Sequence, residues 1–227
     1  MFGSAWGLWT NYFLRGEMVL ALAAAQSVDA TATATVAGSN SLLVAADHAV
    51  GFTLYFRGDL AAALGRAESG AARFDEDTER KIVRRFEFSS TTAIYSFAAP
   101  SLWMMGREAE ADAALERSLE CAEKLEHAPS IAFSLGFNSW MLLHKREWRR
   151  LRAHALRTIA MSGTGLGVDS RSSSSCLAPS AVVELGGILP EDESAREAKK
   201  APNESIWLRM VVRRTLRSTR GAGQIGD

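Results

Sequence analysis

The sequence predicts an all-α solenoid of about four helical hairpins, followed by a poorly ordered C-terminal tail. A recurring phrase, its spacing and the residues that follow it carry this expectation. An aromatic-rich apolar run ends in glycine and a charged residue at positions 9–17, 52–59 and 102–108, and each copy leads into an alanine-rich helical run. A fourth, degenerate copy spans 140–148 and has Arg146 in place of the glycine. Gly16 and Gly58 are 42 residues apart, Gly58 and Gly106 are 48 apart, and a further 40 reach Arg146. That period fits a two-helix repeat, whose hairpins bury their apolar faces by stacking on one another. With 47% hydrophobic residues in 227 positions the chain can build such a core.

Each element follows from local signals. The first hairpin is expected to pair helices over about 5–15 and 17–36. Gly16 supplies its turn, because glycine enters left-handed backbone without a steric penalty. Thr31, Thr33 and Thr35 in an alanine background weaken the end of the second helix. Gly38, Ser39, Asn40 and Ser41 form a linker that offers an N-cap to the next hairpin, expected over about 42–57 and 59–73. Residues 74–87, with Asp75, Glu76, Asp77, Arg84 and Arg85, read as an extended charged loop that accounts for the longer spacing. Helices resume over about 88–105 and 108–125, the latter with Ala111, Ala114, Leu115, Ser118, Leu119 and Ala122 at three- and four-residue steps. Pro129 sits in the first turn of a helix ending near 145, where a missing backbone donor costs nothing. Its partner is expected over 148–161.

The helical-repeat domain is therefore placed at 1–162 and an irregular or disordered tail at 163–227. Gly163, Gly165, Gly167, Ser172 to Ser175, Gly186, Gly187, Pro190 and Pro202 break the helical pattern. Within the tail, 206–220 has Arg209, Arg213, Arg214, Arg217 and Arg220 with no acid and is expected to form a short basic amphipathic helix.

Residues 47–72, above all the run from Ala49 to Ala63, together with 95–122 and 133–160, resemble the tetratricopeptide-like C-terminal region of large bacterial signalling ATPases. These include class III adenylate cyclases that carry a predicted ATPase module. The resemblance covers roughly 1–162 and implies a sensor or protein-interaction arm downstream of a cyclase domain and a P-loop ATPase domain, acting in signal transduction in the cytoplasm. Two departures limit what it carries over. No GxxxxGK[ST] phosphate loop and no acidic strand-end pair for a cyclase metal site occur here, so the chain itself is expected to be non-enzymatic. The alternative is a fragment of an adenylate cyclase whose catalytic and ATPase domains lie outside this chain. Relatives continue with another aromatic-rich hairpin after 161, whereas here the sequence turns to glycine, serine and arginine. The expectation is a reading-frame change near 162. No polar capping segment precedes Trp6 and Leu8, which adds the expectation of a piece of a longer protein.

Composition narrows the function further. The 26 basic and 26 acidic residues cancel, so no whole-protein field draws the chain to nucleic acid or an anionic membrane. Contact of that kind would run through the arginine tail, a separate alternative. Cys121 and Cys176 are too few for a disulfide framework. The stretch 18–25 is too short for a signal core or a membrane span. His48, His127, His144 and His154 fall at different helices with no ligand at metal spacing. Asp75, Glu76, Asp77 and Glu79 lack the alternating ligands and glycine of a calcium loop and read as solvated. Residues 163–167 lack the strand-turn-helix context of a nucleotide turn. No catalytic, cofactor or metal residues are assigned, and no cofactor is expected.

The candidate partner-binding residues are Trp9, Tyr12, Tyr55, Trp103 and Trp140, with Arg149 and Arg152 as a basic cluster. The aromatics fall on the first helix of each hairpin, where stacking between repeats is the simpler reading and anchoring a partner in a groove the functional one. The expected partner is a protein or another domain of a parent signalling protein. Apolar repeat faces left open at the ends of an array also promote self-association. The isolated chain is expected to dimerise or aggregate, which light scattering after size-exclusion chromatography checks; a clean monomer would contradict it.

Overall fold

Each hairpin turns on one residue in left-handed backbone, and these four set the frame of the fold; Glu87 and Glu126, at the ends of two other helices, are left-handed as well. Gly16, Gly58 and Gly106 have φ of 74°, 87° and 79°, and Arg146 adopts 59° without being glycine. In each case the next residue's N–H donates back across the turn: Glu17 to the Tyr12 carbonyl at 3.0 Å, Asp59 to Leu54 at 3.0 Å, Arg107 to Leu102 at 2.9 Å, Glu147 to Leu142 at 3.0 Å. Such a bond satisfies a carbonyl that the ending helix leaves unpaired. The same four residues accept the first bond of the next helix, from Ala21, Ala63, Ala111 and Leu151 at 2.9 to 3.0 Å. One helix therefore stops and its antiparallel partner starts within a few residues.

The computed structural model describes residues 2–34 and 39–163. Among the described residues it is all-helical, with α1 Phe2–Leu14, α2 Met18–Ala34, α3 Asn40–Arg57, α4 Leu60–Ala72, α5 Glu76–Phe86, α6 Ser90–Met104, α7 Glu108–Lys124, α8 Ala128–His144 and α9 Trp148–Gly163. None of these helices is long and apolar enough to cross a membrane. The tail beyond Gly163, with the basic helix expected over 206–220, lies outside the described residues, as do 35–38.

One expectation is overturned. Residues 74–87 are not an extended loop but contain α5. Asp75 caps it, accepting from the Thr78 N–H at 2.9 Å, Glu76, Asp77 and Glu79 occupy the positive end of the helix, and Arg84 and Arg85 occupy its last turn. That order of charges complements the helix dipole. Thr78, Glu79 and Ile82 form its buried face. Glu79, read from the sequence as solvated, is fully buried and accepts from Ser89 Oγ at 2.7 Å, Thr91 Oγ1 at 2.6 Å and the Thr91 N–H at 3.1 Å. It thereby satisfies free donors at the start of α6 and fastens the inserted helix there.

Helices α1/α2, α3/α4, α6/α7 and α8/α9 pack as pairs. The second helix of a pair also lies on the first helix of the next, α2 on α3, α4 on α6 and α7 on α8. The first helices touch in sequence, α1 to α3, α3 to α6 and α6 to α8, while α5 packs on α3 and α6. Mostly small residues permit this closeness. Counting from the left-handed residue, the fifth position holds Ala21, Ala63, Ala111 and Leu151, the ninth Ala25, Ala67, Leu115 and Ala155, and the twelfth Val28, Gly70, Ser118 and Thr158. All twelve are buried. A Cβ on Gly51 would come within 2.6 Å of Phe97 Cζ and 3.1 Å of Arg66 Cβ, so α3 and its neighbours meet where a side chain does not fit.

Polar chains cross the same interfaces. Arg66 of α4 binds both carboxylate oxygens of Asp29 on α2, at 3.2 and 2.8 Å, and reaches buried Asp47 on α3 at 3.2 Å. Asp47 also accepts from Ser69 Oγ at 2.9 Å and Arg73 at 2.8 Å, so this carboxylate fastens α3 to α4 at three points while the Arg66 guanidinium links α2, α3 and α4. Farther along, the hydroxyl of Ser118 on α7 lies 2.8 Å from those of Ser96 on α6 and Ser134 on α8, and Asn138 Nδ2 donates to the Leu115 carbonyl at 3.0 Å. Satisfied groups of this kind cost little to bury, whereas removing one partner leaves the others exposed to the full desolvation penalty.

Equilibrium denaturation checks three consequences. Arg146→Gly stabilises the chain by about 0.5–1 kcal/mol, because the left-handed conformation strains a residue with a Cβ. Gly51→Ala destabilises it by roughly 1–3 kcal/mol through overpacking against Phe97. Asp47→Ala destabilises it by roughly 1–3 kcal/mol by leaving Ser69, Arg66 and Arg73 without their shared acceptor, an effect limited because both arginines are partly exposed and Arg66 keeps Asp29.

Candidate partner-binding surface

The aromatics that mark the repeats divide into a buried seam and a half-exposed cluster. In the seam, Phe13 meets Phe52 at 5.0 Å between ring centroids, and Phe52 reaches across to Phe133 at 6.2 Å and Phe137 at 5.8 Å. Helices α3 and α8 belong to different, non-consecutive pairs, and the intervening α6 adds Phe97 to the same seam, 5.9 Å from Phe52. The chain thus fills its own groove between the first helices with phenylalanine.

Two candidates sit in this seam. Trp9 is buried and its indole N–H donates to Thr53 Oγ1 at 2.9 Å, a bond that holds α1 to α3. Tyr55 is buried against Phe56 and Phe137, and burial pushes its phenol well above the usual tyrosine range. Neither offers a partner a usable surface, which corrects their assignment as anchors: rings between stacked helices are consumed by the stacking. Tyr12 is half-buried against the same core. Arg149 and Arg152 are exposed on α9.

The structure does bring Trp103 and Trp140 together. His144 links them, its ring 6.0 Å from Trp103 and 4.6 Å from Trp140 in an edge-on contact. All three are half-buried. Burial lowers the His144 imidazole from its usual range, and its Nε2 is buried with no hydrogen-bond partner. Next to Trp103, Met104 and Met105 are each 46% exposed. The C-terminal ends of α6 and α8 therefore present two indoles, an uncharged imidazole and two flexible thioethers, a surface suited to an apolar side chain of another molecule. His144 was not among the candidates. Its signal was its place four residues after Trp140, which puts both on one helix face.

The remaining groups with chemical potential are occupied or quiet. Cys121 is buried, and burial pushes its thiol up to about 11, away from the reactive thiolate. Among the described residues no group of three or more His, Cys, Asp or Glu side chains could hold a metal ion. Lys145 gathers Asp112 at 2.6 Å and Glu147 at 2.9 Å; burial alone would lower its ammonium, and these carboxylates outweigh it and hold the pKa above the ordinary value. His48 is enclosed by Trp6, Trp9, Phe52 and Phe88, with Ser90 Oγ 3.2 Å from its Nδ1. Burial brings its pKa down to about 3. No protein-family model, curated protein or solved structure matches the chain.

The depressed His48 pKa fixes a sign for the pH dependence of stability. The unfolded chain takes up this proton near pH 6.5 and the folded chain only near 3, so the contribution is complete above 6.5 and declines as pH falls through that window. Asp47 acts with the opposite sign: burial raises its carboxyl pKa above the ordinary value despite the hydrogen bonds and charges of Ser69, Arg66 and Arg73. Between pH 6 and 5 His48 contributes a slope approaching about 1.4 kcal/mol per pH unit, and the lowered pKa values of His127, His144 and His154 add to it with the same sign. Denaturation series on the native chain and on His48→Phe check this; the variant loses that component of the slope whatever its absolute stability.

Proposed function

We propose that the chain is a tetratricopeptide-like helical-repeat module that binds a protein partner, or another domain of a parent signalling protein, at the C-terminal ends of α6 and α8. The observation that carries the reading is the cluster of Trp103, His144 and Trp140 with exposed Met104 and Met105 on a frame of repeated hairpins. A solenoid arrangement is supported by the regular order of contacts, in which each hairpin meets the next through a second helix laid on a first. The aromatic seam between α3 and α8 supports placing the contact at helix ends, since the groove itself is already filled. The resemblance to the C-terminal arm of cyclase-linked signalling ATPases supports a regulatory role, in which the partner shifts the balance between array curvatures.

Half-buried aromatics rimmed by flexible apolar residues are where a few side chains carry most of the binding free energy. A photo-crosslinking residue at position 105, in the cell that makes this protein, is expected to capture one discrete partner. Met104→Asp should weaken that capture by on the order of tenfold or more, with helical circular dichroism unchanged. Equal capture from a crosslinker at position 84 on α5, or full capture by Met104→Asp, would remove this surface as the binding site.

A further inference from the structure

Helix α5 stands outside the order in which the other helices stack. Both α3 and α4 pack directly on α6, so the array is continuous without it. Of its 11 residues only Thr78, Glu79 and Ile82 are buried, whereas α6 is buried along most of its length. Ile82 is the one apolar side chain among those three, and the hold is otherwise polar. The Glu79 carboxylate takes up Ser89 Oγ, Thr91 Oγ1 and the Thr91 N–H at the start of α6. When such a link opens, carboxylate and donors regain water, so its net cost is modest. An element with few buried apolar contacts opens well below the free energy of global unfolding.

The C-terminal end of α5 combines a pivot with a cover. Phe88, just beyond the helix, is anchored 4.7 Å from Phe133 and 5.6 Å from His48 between ring centroids. Glu87 separates this anchor from the helix and is left-handed, with φ of 54°, although it carries a Cβ. On the other side of the pivot Phe86 lies 4.7 Å from Trp6 and 5.6 Å from Phe2, and the Arg85 guanidinium sits 5.8 Å over the Phe2 ring. Trp6 in turn meets the His48 ring at 5.6 Å.

We propose that α5 is a detachable strap, latched by Glu79 and pivoting at Glu87. It lifts from α3 and α6 as one unit while the hairpins stay assembled, and in lifting it uncovers Trp6 and the first turn of α6. The device is separate from the surface at Trp103 and Trp140, and neither depends on the other.

Residue-resolved hydrogen exchange on the full chain tests the strap. The hydrogen-bonded amides of α5 are expected to share one opening constant, on the order of 100-fold or more above those of α3 and α6. Glu79→Gln should raise that constant about tenfold, by the same factor along α5, and leave α3 and α7 unchanged. Arg80→Gly, at an exposed site that does not endanger folding, should raise it about fivefold through helix propensity alone. Hydroxyl-radical labelling of Trp6 should rise in both variants, and that of Trp9, buried in the seam, should not. Protection of α5 equal to that of α3, a loss of protection graded inward from the helix ends, equal acceleration of α3 and α7 by either variant, or unchanged labelling of Trp6 would each overturn the proposal.

Discussion

Close approach between helices, made possible by small side chains, is the constraint on which the rest of this structure depends. A left-handed residue ends each first helix and returns the chain antiparallel, but the turn alone would not hold a hairpin together. Alanine, glycine and serine at most of the recurring positions five, nine and twelve residues after the turn bring the helices close enough for dispersion to act along their length. The aromatic rings then fill the space between the first helices. Phe52 meets Phe97 of α6 and also reaches Phe133 and Phe137 of α8, joining hairpins that are not consecutive.

Apolar packing is non-directional and would tolerate a sliding helix, whereas the buried polar links do not. Asp47 bonded to Arg66, Ser69 and Arg73, Glu79 seated on the first turn of α6, and the hydroxyl chain from Ser96 through Ser118 to Ser134 each have geometry that only one register satisfies. They contribute specificity more than net stability, since satisfied buried hydrogen bonds roughly replace those made to water. Their number follows from the small residues: serine is small enough to sit where helices meet closely and still carries a donor and an acceptor.

Functional surface remains where this packing stops. Repetition places an aromatic near the end of several first helices, and its fate differs from copy to copy. Phe13 and Tyr55, three residues before the turn, are buried, while Trp103 at the same position in α6 is half-exposed beside Trp140 and His144.

The amino-acid sequence by itself determined the hairpin period, the turn residues and most helix ends, because these rest on local rules: left-handed backbone favours glycine, proline suits a first turn, and helical spacing marks an apolar face. The same rules made α5 legible in principle, through Asp75 and Thr78 at its start and the acidic-to-basic order of its charges, although a dense charge run reads first as a loop. Only the tertiary structure decided which groups on those faces are covered. Glu79 was counted among solvated acids and lies fully buried; Trp9 and Tyr55 ranked with Trp103 and Trp140 as candidate anchors, and packing separated them. Periodicity states that a face is apolar, but whether another helix covers it depends on contacts between residues far apart in the chain, which no local pattern encodes.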